Sequence, residues 1–373
     1  MRIINFKPPW LSWPAVTQFI YAYEAAGVPI CFYGGAVRDG MLGKEPNDFD
    51  VSAAFDVERS VGLLTKANIP VESFDAQLQK IKVNYEGKKF DIFCTQKPSG
   101  SVAEFIPLIL RSYSQKDDFS INKLHLSPLG DLYDPVGGIE DVYAGRIRLM
   151  KNPELYLINH HNILRLFRFI SQFGMNVSDM DIYLAVCGEN MQRLGSSNSQ
   201  IPYWYVYTQL PALLKGQYVV SALNIMQAQG LLKPYFHDLV IDTAVLRALH
   251  DAEAHLSQTP DFCLRLAALL LSTPCPAENF AVLAELWGMS KNSWMQEDYR
   301  RVSLFIDNAH FVETMPMESH ISARLRQQVG NEDCAKLIAL GLAMQLYQNR
   351  QQTDNAALIR GYWNAHLSCK IAL

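Results

Sequence analysis

Asp48 and Asp50 stand two residues apart in the run Asn47-Asp-Phe-Asp-Val51. On an extended strand that spacing turns both carboxylates to one face, because successive side chains alternate. Two hard oxygen donors on one face suit Mg2+, which takes carboxylates together with substrate phosphates. Upstream, Tyr33-Gly-Gly-Ala-Val-Arg38 reads as a strand that meets two glycines and then a helix start. Gly34 and Gly35 would let a phosphate approach the backbone, and a helix N-terminus offers N–H groups to it. Arg38, in the first turn, adds a charge-assisted contact to the same group. A third carboxylate is available in Lys88-Lys-Phe-Asp-Ile-Phe-Cys94, where alternation sets Phe90, Ile92 and Cys94 on one side and Asp91 on the other. Asp91 would complete a two-metal site or face water as an edge-strand charge. Alone, each piece has a plain reading as a tight turn or a solvated pair. Together, at this spacing, they point to chemistry on a phosphorylated substrate.

These residues need elements to hold them. Residues 12–26 read as a helix, with Ser12 as cap, Pro14 in the first turn, Gly27 after the end, and Val16, Phe19, Ile20 and Tyr23 on one face. The apolar run Val28–Tyr33 reads as a strand and Ala36–Leu42 as a short helix ending at Gly43. Asp48–Val51, Lys80–Val83 and Lys89–Thr95 are rich in β-branched and aromatic residues and read as extended. Asp56 is the expected cap of a helix carrying Val57, Val61 and Leu64. From about Leu155 strand signals nearly vanish. Ile163, Leu166, Phe167 and Ile170 keep helical spacing, as do segments around 219–230, 262–271 and 333–348. The expected fold class is α+β, with an N-terminal head built on a small mixed sheet and an all-α remainder.

The chain has 373 residues, 49% of them apolar and 19% charged, with a formal net charge of −4. That length fits two or three domains, and the apolar content excludes a disordered chain. The longest apolar stretches, Leu264–Leu271 and Leu337–Met344, fall short of the roughly 18 residues of a spanning helix, so no membrane partner is expected. The opening MRIINFKPPWLSW does not read as a signal peptide. None of the seven cysteines falls in a Cys-x-x-Cys pair, which suits a reduced, cytoplasmic setting. A mildly acidic balance argues against a generic nucleic-acid binder, without excluding basic residues gathered on one face.

Gly34–Val51 resembles the signature of the class II tRNA nucleotidyltransferase/poly(A) polymerase family, within the polymerase β superfamily. Asp118-Phe-Ser-Ile-Asn122, Asp134-Pro-Val-Gly-Gly138 with Asp141, and Ile147-Arg148 are similar to the family's second and third head motifs in order and spacing. Ile163-Leu-Arg-Leu-Phe-Arg-Phe169 is similar to the helix that begins the neck, and Asp261–Leu270 to a body helix of the bacterial branch. The resemblance implies a polymerase β-like nucleotidyltransferase head at 1–150, a helical neck facing the nucleotide base at 151–215, and an RNA-binding body and tail at 216–373. It implies template-independent addition of C and/or A to tRNA 3′ ends, with ATP and/or CTP and an RNA 3′ end as partners and no DNA. Asp48 and Asp50 would hold Mg2+, with Asp91 as a third catalytic carboxylate. Gly34, Gly35, Arg38, Lys116, Asp118, Asn122, Asn159, Asn162 and Arg165 would bind the nucleotide.

This chain departs from the family pattern in three places. Where relatives carry two arginines before the second motif, it has Lys116 and Asp117. Where they carry Glu-Asp-x-x-Arg for base selection, it has Ile158, Asn159 and Asn162, with Arg165 following. Asn offers both a donor and an acceptor to a base edge but not the bidentate fork of arginine. Relaxed or single-nucleotide selectivity is the expectation. The alternative is a catalytically weakened or inactive RNA-binding descendant of the same fold. Between Asp91 and the second motif, where relatives carry charged residues in a mobile segment, this chain has the apolar run Phe105–Leu110, expected to be a packed segment rather than a lid. His160-His161 is expected at a helix start facing solvent. Arg300-Arg301 and Arg324/Arg326 read as solvated helix faces, with RNA backbone contact as the other reading.

Overall fold

The computed structural model describes residues 2–46, 48–95, 102–114, 118–150, 152–157, 160–174, 176–177, 180–195, 203–289, 291–313, 325–348, 359 and 362. The chain divides into two compact units, Met1–Tyr156 with Met175–Met180, and Leu157–Gly174 with Asp181–Leu373.

The first unit is built on an eight-stranded mixed sheet: β1 (Arg2–Asn5), β2 (Ile30–Tyr33), β3 (Asp48–Ala53), β4 (Val71–Asp75), β5 (Lys80–Tyr85), β6 (Lys88–Cys94), β7 (His125–Leu126) and β8 (Asp131–Asp134). Their order is β1-β8-β7-β2-β3-β6-β5-β4, and among the described residues of this sheet only β3 and β6 pair in parallel. The helices are α1 (Pro14–Glu24), α2 (Gly35–Met41), α3 (Val57–Lys66), α4 (Val102–Ser114), α5 (Gly138–Tyr143) and α6 (Pro153–Tyr156). A two-stranded parallel pair, β9 (Arg146–Ile147) with β10 (Asn176–Val177), returns the chain briefly to this unit after the helical segment has begun.

Alternation sorts the strands into two faces. Phe49, Val51, Phe90, Ile92, Ile81 and Val83 are buried on the covered face, where the Phe19 ring of α1 stacks on Phe90 at 4.4 Å. Asp56 caps α3 by accepting from the Arg59 N–H at 2.9 Å. The first helix is shorter than expected. Pro9–Ser12 forms a 3-10 turn, and Trp13, not Ser12, is the cap residue of α1. Phe105, Ile106, Ile109 and Leu110 are buried in α4, a packed segment as expected.

The second unit is helical: α7 (His160–Phe173), α8 (Met180–Gly195), α9 (Tyr203–Leu214), α10 (Val219–Ala228), α11 (Lys233–Phe236), α12 (Ala244–His255), α13 (Phe262–Leu271), α14 (Pro276–Leu286), α15 (Gln296–Glu313) and α16 (Asn331–Gln348). Helix α13 is buried from Phe262 to Leu270, the Arg265 guanidinium included. Arg265 donates to Glu253 at 2.7 and 3.3 Å and to the carbonyls of Leu214 and Gly216 at 2.7 and 2.9 Å. An interior arginine is tolerable because its charge is paired and its N–H groups have acceptors.

One expectation is corrected in this unit. Arg301 is not a solvated face residue. It donates to Asp261 at 3.1 Å and to Asp333 at 2.9 Å, whereas Arg300 is exposed beside Glu297. His161 is half-buried, its ring stacked on Tyr205 at 4.3 Å. Burial and the neighbouring Arg165 hold its pKa below the usual value. Among the described residues no helix is long and apolar enough to cross a membrane.

Candidate active site

Phe49 sets the register of β3. Its ring packs against Trp10 at 5.2 Å, Phe32 at 6.0 Å and Phe90 at 5.1 Å, all on the covered face. A one-residue slip would drive its aspartate neighbours into that aromatic cluster, so burial of Phe49 orients Asp48 and Asp50 to the opposite face. Asp48 is exposed there and Asp50 half-buried.

Asp50 pairs across the sheet with Tyr33 on one side and Asp91 on the other. Tyr33 is the last residue before the glycine bend. Gly34 has φ 73° and ψ −133°, a conformation that L side chains rarely adopt. A Cβ built on it would lie 3.3 Å from Asp50 Oδ2. The carboxylate therefore rests directly against the bend.

Arg38 links this corner to the second motif. Its side chain is buried, with Nε and Nη2 on Asp39 Oδ1 at 2.9 and 2.8 Å and Nη1 on Asn122 Oδ1 at 2.5 Å. Asn122 Nδ2 donates to both oxygens of Asp118 at 3.3 Å. Gly34, Gly35, Arg38, Asp50, Asn122 and Asp118 thus form one connected corner of the first unit.

The third motif braces that corner. Asp134 accepts from the backbone N–H groups of Val136, Gly137, Gly138 and Ile139 at 2.8 to 3.1 Å, closing the turn before α5. Gly138 lies so close to the 3-10 turn Ser120–Asn122 that a Cβ would stand 2.5 Å from the Ser120 carbonyl oxygen. Asp141 is buried and accepts from Ser120 Oγ at 2.5 Å and from Arg148 Nε at 3.0 Å. Its work is to hold the turn that presents Asn122.

The third carboxylate stands directly opposite Asp50 in the β3–β6 register. Asp91 is on an interior strand, not an edge, and its Oδ2 is bound by Lys80 Nζ at 2.7 Å. Asn162 and Arg165 lie on α7, in the second unit, and both are half-buried. Lys116 and Asn159 fall outside the described residues, as do Asp117 and Ile158. Asp39 and Lys80 are the residues that sequence reasoning missed. Asp39 stands inside the glycine motif and was open to notice, whereas Lys80 becomes visible only through strand register.

Thiol chemistry is not offered here. Burial pushes the Cys94 thiol up to about 11, and Cys31, wholly buried on β2, is raised further. Among the described residues no group of three or more His, Cys, Asp or Glu is arranged to cage a metal ion. Two carboxylates on one strand face instead suit an ion that completes its shell with phosphate and water, as Mg2+ does.

Residues 30–148 match the family model for the poly A polymerase head domain. The chain is 27% identical over 233 residues to poly(A) polymerase I of Escherichia coli O6:H1, covering 59% of this chain and 49% of that protein. It is 25% identical over 244 residues to the CCA-adding enzyme of Leuconostoc citreum strain KM20, covering 62% and 56%. The chain spans about half the length of these curated relatives. In fold it is similar to a crystal structure of a tRNA nucleotidyltransferase complexed with a primer tRNA and an incoming ATP analog, at a TM-score of 0.61 and 19% identity, over 95% of this chain and 99% of that one.

Proposed function

We propose that, through the head domain matched at residues 30–148, the chain belongs to the tRNA nucleotidyltransferase/poly(A) polymerase family and is a template-independent RNA nucleotidyltransferase that adds C and/or A to tRNA 3′ ends. The observation that carries this reading is the contact of the Asp50 carboxylate with the Gly34 bend, 3.3 Å from a built Cβ, beside the Arg38–Asn122 pair. It brings an acidic, metal-suited face and a phosphate-suited bend to one place. The relatives' names and the match of the head motifs support the acceptor and the nucleotides.

In this reading the acceptor's 3′ oxygen bonds to the nucleotide α-phosphorus, and the bond to the bridging oxygen breaks to release pyrophosphate. Asp48 and Asp50 would hold Mg2+, which when bound neutralises phosphate charge and makes the 3′ hydroxyl a better nucleophile. Gly34 leaves room for a phosphate against the backbone. Arg38, held by Asp39 and Asn122, supplies a pre-oriented positive charge, so little ordering remains to be done when a triphosphate arrives. Base choice is assigned to Asn162 and Arg165 by resemblance to the neck helix of the family.

The test is incorporation of labelled CTP and ATP into tRNA lacking its terminal CCA, with Mg2+, by wild type and Asp50→Asn. Incorporation by wild type and its loss in the variant is the expected result. No incorporation of either nucleotide by wild type contradicts the proposal.

A further inference from the structure

The open face of β3, β6 and β5 carries charge in an ordered way. Register places Asn84, Lys89 and Asp48 in one row, Lys82, Asp91 and Asp50 in the next, and Lys80, Phe93 and Ser52 in the third. The acids Asp48 and Asp50 are on β3 and the lysines on its β6–β5 flank. Lys80 is committed to Asp91, its Nζ also 4.8 Å from the centre of the Phe93 ring. Lys82 and Lys89 are exposed and make no hydrogen bond or ion pair among the described residues. Ile81 and Val83, which alternate with Lys80 and Lys82, are buried, so Lys82 cannot turn to the covered face without breaking the core.

The opposite flank of β3 holds the glycine bend and Arg38, on β2 and α2. In an in-line phosphoryl displacement the attacking oxygen and the leaving group stand on opposite sides of phosphorus. With the leaving pyrophosphate at Gly34 and Arg38, an approach of the attacking hydroxyl from the β6–β5 flank satisfies that requirement. Whatever carries that hydroxyl crosses the row of lysines. Neighbouring strands are about 5 Å apart, so Lys89 starts about 5 Å and Lys82 about 10 Å from the β3 carboxylates, within reach of the last phosphates of an approaching strand.

We infer that Lys82 and Lys89 bind backbone phosphates of the RNA strand being extended and guide its 3′ end to Asp48 and Asp50. The inference rests on the activity proposed above and assigns the side of the sheet from which the acceptor enters. It separates the two phosphate-bearing substrates, with the triphosphate on the glycine side and the strand on the lysine side.

The experiment is equilibrium binding, which needs no turnover. Anisotropy of a labelled tRNA lacking CCA gives the RNA Kd across a salt series, and calorimetry with CTP and ATP gives the nucleotide Kd. Lys82→Gln/Lys89→Gln should weaken RNA binding about tenfold at moderate salt and reduce the salt slope by about 1.4, two contacts at about 0.7 each. Its nucleotide Kd should stay at the wild-type value. Lys82→Arg/Lys89→Arg should bind RNA like wild type, and the exposed Lys66→Gln should leave the slope unchanged. An unchanged RNA Kd and slope in the double Gln variant overturns the inference, as does weaker nucleotide binding with RNA binding intact. A wild type that binds RNA without extending it contradicts the proposed activity instead, while the binding comparison still decides this one.

Discussion

Gly34→Ala separates a backbone cost from a site cost. Gly34 sits at φ 73°, and Gly43, just past α2, at φ 69°. Both substitutions force an L residue to positive φ, and Gly34, whose ψ of −133° lies outside the left-handed helical region, should cost the more, about 1–3 kcal/mol of stability. The surroundings differ, because a Cβ at Gly43 meets nothing within 4 Å and a Cβ at Gly34 meets Asp50 Oδ2 at 3.3 Å. That contact is tighter than ordinary van der Waals separation, so the Asp50 carboxylate must give way by a few tenths of an ångström. A misplacement of about 1 Å costs about a hundredfold in rate, so this shift should lower kcat about tenfold. The assay is single-turnover nucleotide incorporation, with urea denaturation of both variants alongside. Stability losses in both variants with a kcat drop confined to Gly34→Ala is the expected pattern. Wild-type kcat in Gly34→Ala, or equal kcat losses in the two variants, refutes the placement of Asp50 against the bend as a catalytic requirement.

Other perturbations follow from the same geometry. Gly138→Ala drives a Cβ to 2.5 Å from the Ser120 carbonyl; it should cost about 1–3 kcal/mol in denaturation and raise the KM for nucleotide by displacing Asn122. Arg265→Met leaves Glu253 buried and unpaired and should destabilise by about 3–5 kcal/mol, read by urea unfolding. Burial opposes ionisation of Asp261, but the Leu264 N–H, Lys336 and Arg301 outweigh it and hold its carboxyl below the usual range. A depressed folded pKa contributes stability above the unfolded value, near pH 3.9, that is lost as pH falls through the folded value. The stability gap between wild type and Asp261→Asn should therefore be full above about pH 5 and shrink below about pH 4; a gap undiminished at lower pH would exclude this assignment.

The parts of the site that one strand or one turn encodes were legible in the sequence. The aspartates of β3 alternate with Phe49, and a period of two with one large aromatic leaves a single way to place them. The glycine pair after an apolar run announced the bend. What failed to show was whatever depends on register between strands or contact between distant segments. Lys80 reaches Asp91 from the neighbouring strand, and nothing in either segment announces the pairing. Arg301 reads as a surface charge because its partners Asp261 and Asp333 come from other helices. The sheet exceeds the small one expected because its outlying strands are weak signals. β7 has only two residues, and β4 is exposed along nearly its whole length, so neither shows a clear apolar alternation. Asp134 and Asp141 stood within recognised motifs, yet their role in closing and bracing a turn depends on backbone N–H groups that a sequence does not display.

The most direct test of the central claim is a crystal structure with Mg2+ and a non-hydrolysable CTP or ATP analogue. The account predicts the ion between the carboxylates of Asp48 and Asp50, with the triphosphate along Gly34, Gly35 and Arg38. An ion bound without either carboxylate, or a triphosphate seated away from the glycine bend, would contradict it.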